Sequence, residues 1–197
     1  MNGKIIIAIL LLAIGRASFA QESSSFWIDG GVDALLATRD SFAITVYDEV
    51  KDGCLPNPGR LKEKMEISLR KYGFDIQKEP KLNVNTIAIR ALGGRPKNNE
   101  LCVVHISTTL IINSVVNVPF ADKLPTGNNT LVPLLYPIRN ALITINRTSM
   151  QSHLSKKVVE FSHNLYLDVS RAKDDIFLKF PSIRDEYLKS KNSPNDG

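Results

Sequence analysis

Residues 57–74 read Asn-Pro-Gly-Arg-Leu-Lys-Glu-Lys-Met-Glu-Ile-Ser-Leu-Arg-Lys-Tyr-Gly-Phe and carry the clearest structural signal in the chain. Asn57 is suited to cap a helix, and Pro58 to occupy its first turn, where a missing N–H costs nothing. Gly73 follows the last apolar position and fits the left-handed residue that ends many helices. The stretch therefore predicts an amphipathic helix over residues 58–72. Its apolar stripe consists of Leu61, Met65, Leu69 and Tyr72.

The stretch that follows this helix alternates between two faces and predicts a long strand over residues 101–112. One face is almost entirely apolar, and the other is half polar, as in a sheet that is packed on one side and partly wet on the other. The apolar face carries Cys102, Val104, Ile106, Thr108, Leu110 and Ile112, and the other carries Leu101, Val103, His105, Ser107, Thr109 and Ile111. Further strands are predicted at residues 41–50, 74–78, 83–92 and 140–148.

These elements give the order β-α-β-β-β-β-α, which predicts an α+β fold with a mainly antiparallel sheet and helices packed on one face. A short helix is expected over residues 32–38, and a long closing helix is expected to be capped by Ser149 or Ser152. The segment between Pro119 and Pro137 contains four prolines. It is predicted to be a long loop or an extended arm, and loops of this length are often functional.

Residues 1–20 are predicted to be a signal peptide, and residues 21–189 a single domain. Lys4 precedes an apolar run of eleven residues, and Ser18 and Ala20 place small side chains at a cleavage site. The alternative is an uncleaved anchor. No later segment approaches about 18 consecutive apolar residues, so no transmembrane segment is expected in the mature chain. Residues 190–197 are expected to be a disordered polar tail.

The charge of the chain is mildly basic and is spread along its length. Removal of Lys4 and Arg16 with the signal peptide lowers the formal net charge from +5 to +3. Nucleic-acid binding needs clustered lysines and arginines, so no nucleic-acid partner is expected.

The only two cysteines, Cys54 and Cys102, are predicted to form a disulfide, because export places the chain in an oxidising compartment. Their separation of 48 residues corresponds to a loop-closure stabilisation of about 4 kcal/mol. The alternative is two free thiols.

The sequence shows no familiar catalytic, cofactor or metal site, so none is predicted. The three histidines, His105, His153 and His163, have no zinc-site spacing, and the last two lie ten residues apart on one predicted helix. No G-x-S-x-G motif is present. The loop over residues 93–97, Gly-Gly-Arg-Pro-Lys, has the composition of an anion cradle, but it lacks the helix that follows a phosphate loop, which favours a plain hairpin connection.

The run over residues 69–74, Leu-Arg-Lys-Tyr-Gly-Phe, resembles a helix-to-strand turn of one family of small periplasmic α+β domains. That domain occurs in outer-membrane lipoproteins that activate peptidoglycan synthases and in the N-terminal domain of the Tol translocation protein. The resemblance extends over about residues 41–172 and implies a helix packed on a sheet. The chain lacks the lipidated cysteine of those lipoproteins, and the motif transfers no functional residue.

The leading hypothesis is an exported, non-catalytic binding or accessory protein of the periplasm or secreted space, with an envelope protein as its partner. The partner would bind the open sheet face or the segment between Pro119 and Pro137. The alternatives are a small periplasmic enzyme, such as a hydrolase with an unfamiliar site, and a small-ligand carrier with a pocket between the sheet and a helix. The sequence predicts no oligomeric state.

Overall fold

The computed structural model describes residues 31–81, 84–97, 100–117 and 129–192, and the predicted signal peptide lies outside these ranges. The strands are β1 (Ser41–Val50), β2 (Asp75–Gln77), β3 (Asn85–Gly94), β4 (Leu101–Asn117) and β5 (Asn129–Asn146). The helices are α1 (Gly31–Ala37), α2 (Gly59–Lys71), α3 (Arg147–Lys179) and α4 (Pro181–Asn192). Helix α4 includes residues 190–192, and the rest of the predicted tail lies outside the description.

The five strands form one sheet in the order β2-β1-β3-β4-β5. Strand β1 is parallel to both of its neighbours, whereas the β3–β4 and β4–β5 pairs are antiparallel. The sheet is therefore mixed. A parallel pair needs a crossover, and α2 provides the one between β1 and β2. The α+β class, the element order and the helices on one face agree with the sequence.

Local capping explains why α2 begins and ends where it does. Pro58 immediately precedes α2 and already has helical angles, φ −63° and ψ −31°, and the capping bond comes from the residue before it: the Asn57 side-chain oxygen accepts the Arg60 N–H at 3.2 Å. At the other end Gly73 has φ +83°, and the amides of Gly73 and Phe74 donate to the carbonyls of Arg70 and Leu69. This pair of bonds is the Schellman arrangement, and it satisfies carbonyls that the helix end leaves open.

The core lies between one face of the sheet and the helices α2 and α3. The apolar face predicted for β4 is buried at every position from Cys102 to Ile112. It meets two buried stripes, one on each helix. That of α2 is Leu61, Met65 and Leu69, and that of α3 is Leu154, Val158, Phe161, Leu165, Val169 and Ala172.

The cysteines are paired, with Sγ–Sγ 1.90 Å and Cα–Cα 5.8 Å between Cys54 and Cys102. Both side chains are buried in the core. The bond links the loop before α2 to the start of β4.

Among the described residues, no helix combines the length and apolar character that a membrane crossing requires.

Two features of the second half of the chain differ from the sequence predictions. Of the two alternatives for the segment between Pro119 and Pro137, the loop is wrong for Asn129 to Pro137, because these residues belong to β5, an extended strand that pairs with β4. Prolines fit there because β5 is an edge strand and needs hydrogen bonds on one side only. The cap of α3 is Asn146, whose side chain accepts the Ser149 N–H at 3.0 Å, so neither predicted serine caps it.

Candidate binding face of the sheet

The sheet has a second face that no described helix covers, and it is called the open face below. It carries the alternate residues of β1, β3, β4 and β5 that point away from the core. Several large apolar side chains lie exposed there. They are Tyr47, Leu92, Leu101, Leu135 and Leu142.

A cross-strand row at one end of the open face joins Leu92, His105 and Leu142, which are direct neighbours in the register of β3, β4 and β5. Leu92 is 50% exposed and Leu142 is 69% exposed. His105 is exposed between them. A histidine flanked by two leucines makes a strip that is apolar at its ends and able to hydrogen-bond at its centre.

The centre of the open face is a depression of about 320 Å³. Arg90 crosses its edge, with its guanidinium carbon 5.8 Å from the ring centroid of Tyr47 and Nε 3.7 Å from a Glu49 oxygen. The ion pair is exposed and contributes little stability. The depression is lined by Tyr47, Ala88, Arg90, Ser107, Thr109, Ile111 and Leu135.

The segment between Pro119 and Pro137 and the open face are parts of one surface. Leu135, in the β5 part of that segment, lies opposite Ile111 of β4 and is 68% exposed. Beyond Ile112, β4 pairs with β5 but no longer with β3. The described part of the hairpin therefore extends past the rest of the sheet, and residues 118–128 lie outside the description.

The three histidines have different surroundings in the structure. His105 is on the open face, His163 Nδ1 lies 3.0 Å from the Tyr72 hydroxyl, and His153 Nδ1 lies 3.0 Å from the Ser149 carbonyl. Within the described ranges, no three side chains of the metal-binding types His, Cys, Asp and Glu come together.

The Gly-Gly-Arg-Pro-Lys stretch connects β3 to β4, as the hairpin interpretation predicts. Gly93 and Gly94 are the last residues of β3. The Arg95 N–H donates to a carboxylate oxygen of Asp52 at 3.1 Å. The backbone donor that an anion cradle would offer is thus used by an acid of the chain itself.

The sequence identified the β4 part of the open face but not the residues that β5 adds to it. The half-polar pattern at His105 and its neighbours was visible in the sequence. Leu135 and Leu142 join that face only through the β4–β5 register, which includes an irregularity between Thr108 and Thr109. A period-two pattern says which residues share a face, but not which strand lies beside which.

No protein-family model matches the sequence, and no curated protein matches it. Solved structures give distant similarities. A PelC dodecamer from Paraburkholderia phytofirmans is 13% identical, with 64% of this chain and 89% of that chain covered and a TM-score of 0.39. A minor lipoprotein from Acinetobacter baumannii is 10% identical, with coverages of 67% and 94% and a TM-score of 0.34.

The rare lipoprotein B from Shewanella oneidensis is also 10% identical, with coverages of 71% and 98% and a TM-score of 0.28. At these TM-scores the similarities identify no family for this chain. None of the three names is that of a peptidoglycan-synthase activator or a Tol protein, so the resemblance seen in residues 69–74 stays a prediction.

Proposed function

We propose that this chain is an exported, non-catalytic binding protein that holds a protein partner of the bacterial envelope against the open face. The observation that carries the proposal is the exposure of Leu92, Leu135 and Leu142 on a face that no described helix covers. Exposed apolar side chains grouped on one face are typical of protein-binding surfaces.

The composition of the open face supports a protein partner rather than a small ligand. Tyr47 and Arg90 lie beside each other at the central depression. Tyrosine and arginine are enriched among the residues that dominate protein–protein binding energy. The exposed leucines Leu92 and Leu142 lie outside the depression, so a partner that presents an extended surface can contact more of the open face than a small ligand can.

Export is supported by the signal-like residues 1–20 and by the buried disulfide between Cys54 and Cys102. Structural disulfides persist in the periplasm and outside the cell, and are rare in reducing compartments. Fractionation of the producing cell tests this part. The chain is expected in the periplasmic or secreted fraction, starting at Gln21.

Charge insertion tests the binding face. Leu142→Asp places a carboxylate in the apolar row, so capture of the envelope partner by crosslinking is expected to fall at least tenfold. Leu178→Asp is the matched control, because Leu178 is an exposed leucine on α3, on the helix side of the sheet. Equal capture by wild type and Leu142→Asp would contradict the proposal. Equal loss in both variants would contradict it as well.

A further inference from the structure

The helix side of the molecule carries a groove of about 500 Å³ between α2 and α3. Since the open face is on the other side of the sheet, the groove is separate from the proposed protein-binding surface. Its volume lies in the usual range of small-molecule sites. The lining residues are Arg60, Lys64, Thr148, Gln151, Ser152, Ser155, Lys156 and Val159.

Three of the lining side chains are cations, namely Arg60, Lys64 and Lys156, and none of the lining residues is acidic. Two lysines beside the groove residues in sequence, Lys62 and Lys157, differ from the groove cations in their ion pairing. Lys62 and Lys157 form ion pairs with glutamates of their own helices, whereas none of the three groove cations forms an ion pair within the described part of the chain. The groove therefore concentrates positive charge that the described chain does not neutralise.

The floor of the groove contains a buried donor without a partner. Ser155 is only 8% exposed, and its hydroxyl has no hydrogen-bond partner among the described residues. The side-chain nitrogen of Gln151 is also buried and unpartnered, while its oxygen accepts the Asn57 N–H at 3.1 Å. Because the Asn57 N–H needs an acceptor, this bond assigns the Gln151 oxygen to Asn57 and leaves the Gln151 NH₂ group as the unpartnered donor. Unsatisfied buried donors are costly, and each one in a folded protein needs an explanation.

Ser162, on the same helix, shows that such a hydroxyl can be satisfied locally. It is buried, and it donates to the Val158 carbonyl one turn earlier at 2.8 Å. Ser155 lies two turns before Ser162 and has no such bond. A buried serine of α3 can therefore be satisfied within the helix, and Ser155, which lines the groove, is not.

We propose that this groove binds a phosphate group, carried either by a small soluble molecule or by the headgroup of an anionic lipid. A phosphate presents up to two negative charges and three acceptor oxygens. These match three cations and two neutral donors better than a single carboxylate does, and the Arg60 guanidinium can make two parallel bonds to it. Thr148, in the first turn of α3, places the positive end of the helix dipole at the same groove.

Binding is tested by titrating the ¹⁵N-labelled mature protein with inorganic phosphate and with glycerol 3-phosphate at low ionic strength. Amide shifts are expected to concentrate at the groove, around Lys64 and Ser155. Arg60→Gln with Lys64→Gln should weaken binding at least tenfold, because each removes a charge-assisted bond. Lys71→Gln with Lys179→Gln is the control, since it removes the same charge from outside the groove. Equal weakening in both double variants would mean nonspecific charge attraction and would overturn the proposal.

A pair of serine variants tests the buried donor itself. Ser155→Ala is expected to weaken phosphate binding severalfold while leaving the protein at least as stable as before, because the lost hydroxyl was buried without a partner. Ser162→Ala is the control and should leave phosphate affinity unchanged. If Ser155→Ala leaves the affinity unchanged, the hydroxyl does not contact the ligand and the proposed geometry is wrong.

Vesicle flotation separates the two sources of phosphate. Binding to phosphatidylglycerol vesicles but not to phosphatidylcholine vesicles, lost in Arg60→Gln with Lys64→Gln, identifies a lipid headgroup, whether or not glycerol 3-phosphate also shifts the groove amides. Groove-localised shifts with glycerol 3-phosphate and no flotation identify a soluble phosphate compound. No binding in either arm would overturn the proposal. Either result leaves the open-face proposal standing, since that one is tested by Leu142→Asp.

Discussion

The Tyr136 hydroxyl of β5 donates a hydrogen bond of 3.0 Å to the Asp168 carboxylate of α3. Arg139, from the same strand, brings its guanidinium to 3.6 Å from the same oxygen. Burial, and then the bond to Asp168, raise the pKa of Tyr136 to about 12. This contact fastens the edge strand, and with it Leu135 of the open face, to the long helix.

Replacing Tyr136 with Phe removes this bond and is expected to lower the free energy of unfolding by about 1 kcal/mol at pH 8. The pH dependence has a definite sign. The folded state holds the phenol proton more tightly, so the unfolded chain releases it first as the pH rises above 10, and stability falls between pH 10 and 12. Below pH 10 both states keep the proton, and the contribution is present in full.

Urea unfolding at pH 8 and pH 11 measures both effects, and absorbance at 295 nm follows tyrosine ionisation. Wild type should lose more stability than Tyr136→Phe between the two pH values. One tyrosine of the folded protein should titrate near pH 12, and that step should vanish in the variant. A difference between the two titration curves that is centred near pH 10 would show that burial and the bond to Asp168 do not hold the proton.

The sequence predicted α2 and the buried face of β4 because their signals are local. Asn57 and Gly73 act within a few residues of the helix ends, and a period of two is visible in any single strand. The parallel pairing of β1 with β3 was not predictable in this way. It joins residues such as Ile44 and Ile87, which are distant in sequence, and nothing in the local sequence of either strand identifies the residue it pairs with.

The two candidate sites differ in how much the sequence showed. The β4 part of the open face was visible in the sequence, but Leu142 joins that face only through the pairing of β5 with β4. The groove brings Arg60 and Lys64 of α2 beside Lys156 of α3. Its one local signal was the pair of cations four residues apart on α2, which fits a solvated helix surface equally well. Only the packing of the two helices shows that these charges meet a buried, unpartnered serine.

Gly93 is expected to tolerate no side chain. A Cβ atom there would lie 2.1 Å from the Val103 carbonyl oxygen and 2.9 Å from the Val104 Cα, both of them backbone atoms of β4. Moving the backbone of β4 away would break its pairing with β3, so Gly93→Ala should lower the free energy of unfolding by about 3 kcal/mol. The urea midpoint measures this loss.

Gly59→Ala is the control for Gly93→Ala. A Cβ atom at Gly59 would meet only the Asn57 side-chain oxygen, at 3.4 Å, and alanine favours the first turn of α2. The control should change stability by less than about 1 kcal/mol, in the stabilising direction. A Gly93→Ala protein as stable as the control would mean that β3 and β4 are not so closely paired at this point.

The disulfide between Cys54 and Cys102 is expected to contribute about 4 kcal/mol, since it closes a loop with a sequence separation of 48. Cys54→Ala with Cys102→Ala should therefore lower the urea midpoint strongly. Dithiothreitol should lower the midpoint of wild type in the same way and leave that of the double variant unchanged. If reductant frees both thiols of wild type without moving its midpoint, the bond does not stabilise the fold.

The cap of α3 provides the last prediction, because the sequence and the structure assign it to different residues. The Asn146 side chain accepts from the Ser149 N–H and from the Thr148 hydroxyl, both at 3.0 Å. Asn146→Ala should lower the free energy of unfolding by about 1 kcal/mol, since it leaves helix donors without an acceptor. Ser152→Ala should change it by less than about 0.5 kcal/mol, because Ser152 is exposed and lies past the first turn. Urea unfolding of the two variants measures both losses of stability. A larger loss in Ser152→Ala than in Asn146→Ala would show that Ser152, and not Asn146, caps α3.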